Sequence, residues 1–248
     1  MEGYGITEAA PVLAFRNCNE PRPGSVGIVF PSAEVKIVAE EHGTILSPEP
    51  LKPGQRGLIL ARGDQIMKGY YKQPELTAQA IDKDGWLNTG DVGMLTYDNE
   101  IKITGRAKDT IVLLGGENIE PLGIENALCG SNYIETAVLF GQDQKYLAAL
   151  IVPSHDLIDD FAKNNGIIYT SYADLLETPE IQNLLHSEIE SRINLSTGFR
   201  TCERIFRFKL LPESFKVGVE LSAKQEFMRY KINEKYAQEI EALFIEQN

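Results

Sequence analysis

Five consecutive residues near the start of the chain combine side chains that could handle a nucleotide. Tyr4 supplies an aromatic plane, Gly5 permits a tight backbone, Thr7 offers a hydroxyl and Glu8 a carboxylate. An aromatic ring can cover a base, a hydroxyl can donate to a phosphate oxygen, and carboxylate oxygens are the hard ligands that suit Mg2+. Tyr-Gly turns are common, so this pentapeptide alone does not distinguish a nucleotide site from an ordinary turn.

A second pair of charged residues could bind a ribose. Asp91 ends the sequence NTGD, and Arg106 follows fifteen residues later. A carboxylate at a strand or turn end can accept hydrogen bonds from both ribose hydroxyls. The guanidinium of Arg106 is permanently charged and can bind phosphate or ribose oxygens. The alternative interpretation is that Asp91 and Arg106 simply pair with each other.

The segment from Gly105 to Glu125, GRAKDTIVLLGGENIEPLGIE, joins a charged turn, an apolar run, a glycine pair and a helix start. Gly115 and Gly116 would let a thin ligand approach the backbone closely. The alternative is an ordinary turn before a helix that begins at Pro121.

Composition limits the classes of function. The net charge of -12 argues against nucleic acid as a partner, because binding to a phosphate backbone needs a basic surface. Residues 200–235 are an exception, with nine Lys and Arg against five Glu. This basic segment suits a small phosphorylated ligand, although lysines that merely flank solvated helices would give the same pattern.

The chain shows no export or membrane signal. Its three cysteines, Cys18, Cys129 and Cys202, are far apart and odd in number, which indicates reduced thiols rather than a disulfide framework. No apolar run approaches the roughly 20 residues that span a bilayer, and Met1 is followed by an acidic residue rather than a basic one. We therefore expect a cytoplasmic protein without a transmembrane segment.

The pattern of apolar residues changes near Arg106. Before it, short alternating runs separated by turns predict a β-rich, barrel-like region with one short helix after Pro74. After it, the pattern predicts mixed helices and strands. The expected elements are strands over 110–114, 136–140 and 147–152, a helix over 121–129, a helix from Pro179 that Gly198 ends, and a C-terminal surface helix through Tyr236 and Phe244.

These motifs, in their order, resemble the AMP-forming long-chain acyl-CoA synthetases. The resemblance rests on YGITE at 4–8, RGDQIMKGYYKQPELTAQAI at 62–81, DGWLNTGD at 84–91 and the 105–125 segment. It implies ATP-dependent activation of a fatty acid to acyl-AMP, followed by transfer to CoA. Only three residues precede YGITE, so we expect the C-terminal portion of such an enzyme, without its phosphate loop and acyl pocket.

The resemblance also implies residue roles. Tyr4 would stack on adenine with Gly5 beside it, Thr7 would contact the AMP phosphate and Glu8 would bind Mg2+. Asp91 would hold the ribose hydroxyls, and Arg106 would contact ribose or phosphate. Lys108 falls at the family's hinge. The remaining implied positions, Gly115, Gly116 and Glu117, would approach the pantetheine of CoA after the hinge moves.

The implied fold is α+β. A β-barrel-like subdomain of the large AMP-binding domain would cover residues 1–106, and a small mobile α+β domain would cover residues 107–248. The implied partners are fatty acid, ATP and CoA, together with the enzyme's own N-terminal domain. The resemblance also allows a peripheral membrane contact in the complete protein.

One family feature is altered near the C-terminus. The resemblance implies a lysine that reaches the substrate carboxylate and the α-phosphate, and aligning LSAKQEFMRYKI at 221–232 puts Glu226 there. A glutamate cannot stabilise negative charge on a phosphate. Lys224 lies two residues earlier and could substitute on a flexible segment, whereas on a strand it would share a face with Glu226.

Three hypotheses about function therefore remain from the sequence. The first is a fragment of a working long-chain fatty acid–CoA ligase. The second is a relative that binds nucleotide or acyl-adenylate but adenylates weakly. The third is an acyl-[acyl-carrier-protein] ligase, because a tethered phosphopantetheine would use the same channel as CoA.

Overall fold

The computed structural model describes residues 3–16, 22–41 and 43–245. They form two compact units, divided between Thr110 and Ile111, which are described separately below. Cys18 lies outside the described residues, and Cys129 and Cys202 carry free thiols. None of the described helices is long and apolar enough to cross a bilayer.

The first unit is built on one eight-stranded antiparallel sheet. Its strands, in chain order, are β1 (Gly3–Gly5), β2 (Val12–Phe15), β3 (Gly27–Val29), β4 (Ala33–Glu41), β5 (Thr44–Pro50), β6 (Gly57–Gly63), β7 (Leu87–Leu95) and β8 (Glu100–Arg106). They lie in the order β1-β2-β3-β8-β7-β6-β4-β5. The two edge strands, β1 and β5, do not pair with each other among the described residues, so the expected barrel-like region is an open sheet.

Strand β6 explains how this sheet is stabilised. Leu58, Ile59, Leu60 and Ala61 are all buried. Because side chains alternate along a strand, Ile59 and Ala61 pack into one apolar cluster and Leu58 and Leu60 into another. The sheet is therefore covered on both faces at its centre, next to β7, which carries Asp91.

The second unit combines a β-hairpin, a three-stranded sheet and helices. Its strands are β9 (Ile111–Val112), β10 (Asn118–Ile119), β11 (Ile134–Phe140), β12 (Leu147–Pro153) and β13 (Ile205–Leu210). Strand β12 is central and buried throughout, pairing antiparallel with β11 and parallel with β13. The prediction of an α+β fold is thus confirmed.

The helices predicted after Pro74, at Pro121 and at Pro179 are present, and the structure adds others. The helices are α1 (Pro74–Ala80), α2 (Pro121–Leu128), α3 (His155–Asn164), α4 (Tyr172–Leu176), α5 (Pro179–Arg192), α6 (Arg229–Lys235) and α7 (Ala237–Phe244). Three of them start at a proline, whose fixed φ suits the first helical position. Helix α7 packs on β12 and β13, as expected for the C-terminal surface helix.

Two local predictions were wrong. Gly198 does not end helix α5, which stops at Arg192; it ends a separate 3-10 turn, Leu195–Thr197, in a left-handed conformation. Asn194 starts that turn by accepting from the backbone N–H groups of Ser196 and Thr197. The strand expected over 110–114 is only the two-residue β9, because Leu113 already enters the hairpin turn.

We predict that trypsin cuts the native chain first after Lys108. Lys108 is exposed in the turn at residues 107–109, which the Asp109 N–H closes onto the Arg106 carbonyl at 2.9 Å. This turn lies at the end of the first unit, close to the division between the units, and exposed turns are preferred cleavage sites. Mass spectrometry of early fragments checks this, with Lys108→Gln as the control that removes the site. First cuts at any other lysine or arginine would contradict the prediction.

Candidate functional site

Three predicted site residues meet in the first unit. Tyr4 lies on β1, and Asp91 and Arg106 face each other in register on β7 and β8. The Tyr4 hydroxyl donates a hydrogen bond to Asp91 Oδ2 at 2.7 Å, and Arg106 Nε lies 3.5 Å from Asp91 Oδ1. The pairing of Asp91 with Arg106 that the sequence left open is thus present, and Tyr4 joins it.

The Tyr4 hydroxyl is held in its protonated form. Burial, followed by the negative charge of Asp91, raises the pKa of the Tyr4 phenol well above its ordinary value. A protonated phenol can only donate to a carboxylate, so the hydrogen bond is directed toward Asp91. The carboxylate of Asp91 is largely buried, while the Arg106 side chain is more than half exposed. Arg106 could therefore turn toward a ligand.

Thr89 supports Asp91 from the same strand. The Thr89 Oγ1 donates to the Ile59 carbonyl at 2.8 Å and accepts from the Asp91 N–H at 3.1 Å. Gly90, between them, has a φ of +74°, a left-handed conformation that glycine adopts readily. The NTGD sequence is therefore a local irregularity of β7 that fixes the backbone beside the Asp91 carboxylate.

The ring of Tyr4 packs into the apolar core of the first unit. Only 7% of the residue is exposed, and it clusters with Ala9, Leu13 and Ile59. The described residues thus give Tyr4 a contact through its hydroxyl, whereas the stacking role implied by the resemblance stays a prediction.

The rest of YGITE forms a tight turn after β1. A Cβ at Gly5 would collide with the Pro11 carbonyl oxygen, so this position requires glycine. Thr7 is exposed at the start of a 3-10 turn, Thr7–Ala9. Glu8 in that turn accepts a hydrogen bond from the Tyr70 hydroxyl at 3.0 Å. Burial and this contact raise the pKa of Tyr70, which keeps it a donor.

Glu8 is compatible with Mg2+. Its carboxylate offers hard oxygens, and Mg2+ is commonly bound by one or two carboxylates together with substrate phosphates. Among residues 3–16, 22–41 and 43–245, no three His, Cys, Asp or Glu side chains cluster in a way that could hold a metal. A Mg2+ ion at Glu8 would take its other ligands from water and from substrate phosphate oxygens.

The glycine pair of the second unit forms the tip of the hairpin between β9 and β10. The Gly116 N–H donates to the Leu113 carbonyl at 2.8 Å, and the Leu113 N–H donates to the Glu117 carbonyl at 3.1 Å. Gly116 has a φ of +86° with open space around it. A Cβ at Gly115 would collide with the Glu117 carboxylate. Gly115 and Gly116 therefore form an ordinary turn, as the alternative interpretation predicted. The exposed tip also leaves room for a ligand.

Lys224 lies at the tip of a short loop in the second unit. We call residues 221–227 the Lys224 loop; Leu221 and Phe227 form an antiparallel bridge at its base. The Gln225 N–H donates to the Ser222 carbonyl at 2.9 Å, and the φ of Gln225 is +62°. Lys224 is exposed in this turn and is not on a strand with Glu226.

Sequence reasoning missed the residues that hold these groups in place. Tyr70 contacts Glu8, Thr89 supports Asp91, and Arg229 binds Glu125 beside the Lys224 loop. For Glu125, the one sequence signal was its place as the last residue of the 105–125 motif. Glu220 is buried just before the loop and had no sequence signal, because an isolated glutamate reads as a surface residue.

The chain belongs to the AMP-binding enzyme family. Residues 108–248 match the family model of the AMP-binding enzyme C-terminal domain, and residues 1–71 match that of the AMP-binding enzyme. The recognition made from the motifs is thus confirmed. The matched parts include YGITE, residues 108–125 of the 105–125 segment, and the Lys224 loop.

The names of two relatives state two different acyl acceptors, an acyl carrier protein and CoA. The chain is 43% identical over 63% of its length to a long-chain-fatty-acid–[acyl-carrier-protein] ligase, chloroplastic, from Arabidopsis thaliana, covering 22% of that protein. It is 32% identical over 86% of its length to long chain acyl-CoA synthetase 7, peroxisomal, from the same plant, covering 30% of it. The chain spans between 22% and 39% of the length of these and other curated relatives that it matches.

A solved structure supports the fold. The adenylation domain of a carboxylic acid reductase from Segniliparus rugosus, in complex with AMP and a co-purified carboxylic acid, is 25% identical with a TM-score of 0.76. The match covers 98% of this chain and 34% of that one. The large antiparallel sheet and the α+β second unit are therefore those of an adenylate-forming enzyme.

Replacing Tyr4 by phenylalanine is expected to lower the unfolding free energy of the first unit by about 0.5–1.5 kcal/mol, the usual net value of one hydrogen bond. The ring and its packing are kept, while the donor to Asp91 is lost. Urea unfolding followed by the fluorescence of Trp86, the chain's single tryptophan, measures the change. Unchanged stability would mean that only the ring of Tyr4 contributes.

Proposed function

We propose that this chain is the C-terminal portion of a long-chain fatty acid–CoA ligase. The complete enzyme activates a fatty acid with ATP to acyl-AMP and then transfers the acyl group to the thiol of CoA. Family membership and the joined Tyr4–Asp91–Arg106 group carry this proposal. A buried carboxylate beside a movable guanidinium suits a ribose with a neighbouring phosphate.

The four site residues of the first unit then have defined roles in binding the nucleotide. Asp91 accepts hydrogen bonds from the ribose hydroxyls, and its contact with Tyr4 keeps the carboxylate oriented. Arg106 turns from Asp91 toward ribose or phosphate oxygens. Thr7 donates its hydroxyl to the α-phosphate, and Glu8 would hold Mg2+, which neutralises phosphate charge when bound.

The second unit supplies the remaining groups in this proposal. Lys224, on its exposed turn, provides positive charge to the substrate carboxylate and the α-phosphate during adenylation. Lys108 is the hinge about which the unit changes pose. The Gly115–Glu117 tip then meets the pantetheine, where the absence of side chains at two positions lets a narrow chain approach.

An acyl-[acyl-carrier-protein] ligase is the second candidate. The relative with 43% identity favours it, since its name states that acceptor. A peripheral membrane contact and a cytoplasmic location stay predictions, as does the domain boundary between residues 106 and 107. The two acceptors are separated by supplying CoA or a carrier protein to the complete enzyme and measuring which thioester forms.

The experiment for the nucleotide site uses the complete protein and Asp91→Asn. Loss of one charged hydrogen-bond acceptor is expected to raise the KM for ATP about 10- to 100-fold, on the scale of 1.5–3 kcal/mol for such a bond. The matched control is Glu40→Gln, a buried carboxylate paired with Arg56, which should leave the KM unchanged. Equal KM values for wild type and Asp91→Asn would contradict the assignment.

The 248-residue chain by itself is expected to lack adenylation activity. It holds only part of the site that must bring ATP and carboxylate together, and proximity accounts for a large share of the rate. Fatty-acid-dependent exchange of labelled pyrophosphate into ATP is the measurement. Exchange well above background by the isolated chain would refute this expectation.

A further inference from the structure

The Lys224 loop has an exposed tip on an ordered base. Ala223, Lys224 and Gln225 are all exposed. The base is closed by the Ser222 N–H, which donates to the Glu226 carbonyl at 2.8 Å. Inside the loop, the Lys224 and Glu226 N–H groups donate to the Ser222 hydroxyl at 3.2 Å, which gives the turn its shape. The direction in which this turn points also depends on what holds its two ends.

A buried ion pair holds the C-terminal end. Arg229, two residues after the loop, places Nη2 at 2.9 and 2.8 Å from the two carboxylate oxygens of Glu125 on helix α2. The Glu125 side chain is 4% exposed and also accepts from the Leu139 N–H on β11 at 2.9 Å. One carboxylate therefore joins the helix of the 105–125 motif, the edge of the sheet and the end of the loop.

A second buried carboxylate holds the N-terminal end. Glu220, one residue before the loop, is 1% exposed; it accepts from the Lys216 N–H at 2.9 Å and pairs with Lys235 of helix α6. Burial would raise the pKa of Glu220, but hydrogen bonds from Lys235 and the Lys216 N–H outweigh it and lower the pKa. The Met228 N–H also donates to the Glu220 carbonyl at 2.8 Å, which ties both ends together.

Burying charged groups is costly, so a buried ion pair is weak evidence for stability alone. An apolar pair of similar volume would often stabilise a fold equally well, whereas an ion pair with several hydrogen bonds fixes one geometry. Here one guanidinium nitrogen, Nη2 of Arg229, reaches both carboxylate oxygens of Glu125, and hydrogen bonds between two charged groups are among the strongest in proteins. Such geometry matters most where a side chain must be aimed.

We infer that Glu125 and Glu220 are positioning residues for the Lys224 loop. Through Arg229 and Lys235 they set the direction of the exposed tip, so that Lys224 reaches the reacting carboxylate and phosphate. This inference rests on the proposed function. Glu125, the last residue of the 105–125 motif, would then act in the adenylation step indirectly, by holding Arg229, which lies 104 positions later in the chain.

The test compares Glu125→Gln with Glu40→Gln in the complete enzyme. Both glutamates have 4% exposed side chains paired with an arginine, so the substitutions are matched. Glu125→Gln should lower kcat for adenylation about 10- to 100-fold, the scale of a misaimed group, with an unchanged KM for ATP. Thioester formation from supplied acyl-adenylate should change little. Equal losses in both half-reactions, or in both variants, would overturn the inference.

A second measurement does not depend on activity. In the isolated chain, Arg229→Lys keeps the charge but removes the guanidinium that reaches both Glu125 oxygens, and we expect the Gln225 and Glu226 amides to exchange hydrogen about tenfold faster while β12 stays protected. Unchanged loop exchange would overturn the positioning role. If the loop loosens but the complete enzyme makes no acyl-adenylate in any form, the proposed function fails and the positioning role stands.

Discussion

Replacing Lys224 by alanine is expected to slow acyl-adenylate formation about 10²- to 10³-fold, the usual loss for one electrostatic group at a developing charge. On a strand, Lys224 would share a face with Glu226, but Lys224 lies in an exposed turn. Glu226 therefore does not compete with it in that way. Thioester formation from supplied acyl-adenylate should be nearly unchanged. Glu226→Lys should have little effect in the same assays.

The opposite pattern would identify Glu226 as the altered catalytic position. In that case Glu226→Lys would accelerate adenylation by a similar factor, and Lys224→Ala would do little. The natural enzyme would then be a weak adenylating relative. Indifference of both half-reactions to both substitutions would mean that the catalytic cation is not on the Lys224 loop.

Leu150→Ala is expected to destabilise the second unit by about 2–5 kcal/mol, the range for removing a buried leucine side chain. Leu150 is fully buried in the central strand β12. Trp86 lies in the first unit, so its fluorescence reports that unit, while far-UV circular dichroism reports both. Leu150→Ala should shift the circular dichroism transition without moving the Trp86 transition.

The matched variant is Ile59→Ala in the first unit, where Ile59 is equally buried. It should shift the unfolding transition seen by Trp86 fluorescence. The transition of the second unit in the circular dichroism signal should not shift. A single cooperative transition that both substitutions shift equally would contradict the expectation that the two units unfold separately.

Local signals in the sequence predicted much of the secondary structure. Pro74, Pro121 and Pro179 each start a helix, because their effect on the backbone is confined to one position. The apolar runs of β11 and β12 were equally clear. The prediction that Gly198 ends helix α5 was wrong because a left-handed glycine can end any helical turn. Here it ends a short 3-10 segment. Alternating strands predicted a sheet but could not show whether its edges close.

Long-range contacts were beyond the sequence. Tyr4 and Asp91 are 87 residues apart, and Glu125 and Arg229 are 104 apart. Each pair forms only because sheet order or helix packing brings the elements together, and no spacing rule covers such distances. The motifs identified Asp91 as a site residue and allowed its pairing with Arg106, but the hydrogen bond from Tyr4 became evident only from the fold.

The most direct measurement of the central claim is a product analysis of the complete enzyme given a long-chain fatty acid, ATP and a thiol acceptor. The proposal predicts AMP, pyrophosphate and thioester in equal amounts, all dependent on the fatty acid and strongly reduced by Asp91→Asn. Release of ADP and phosphate, or ATP cleavage that does not depend on the acid, would contradict it.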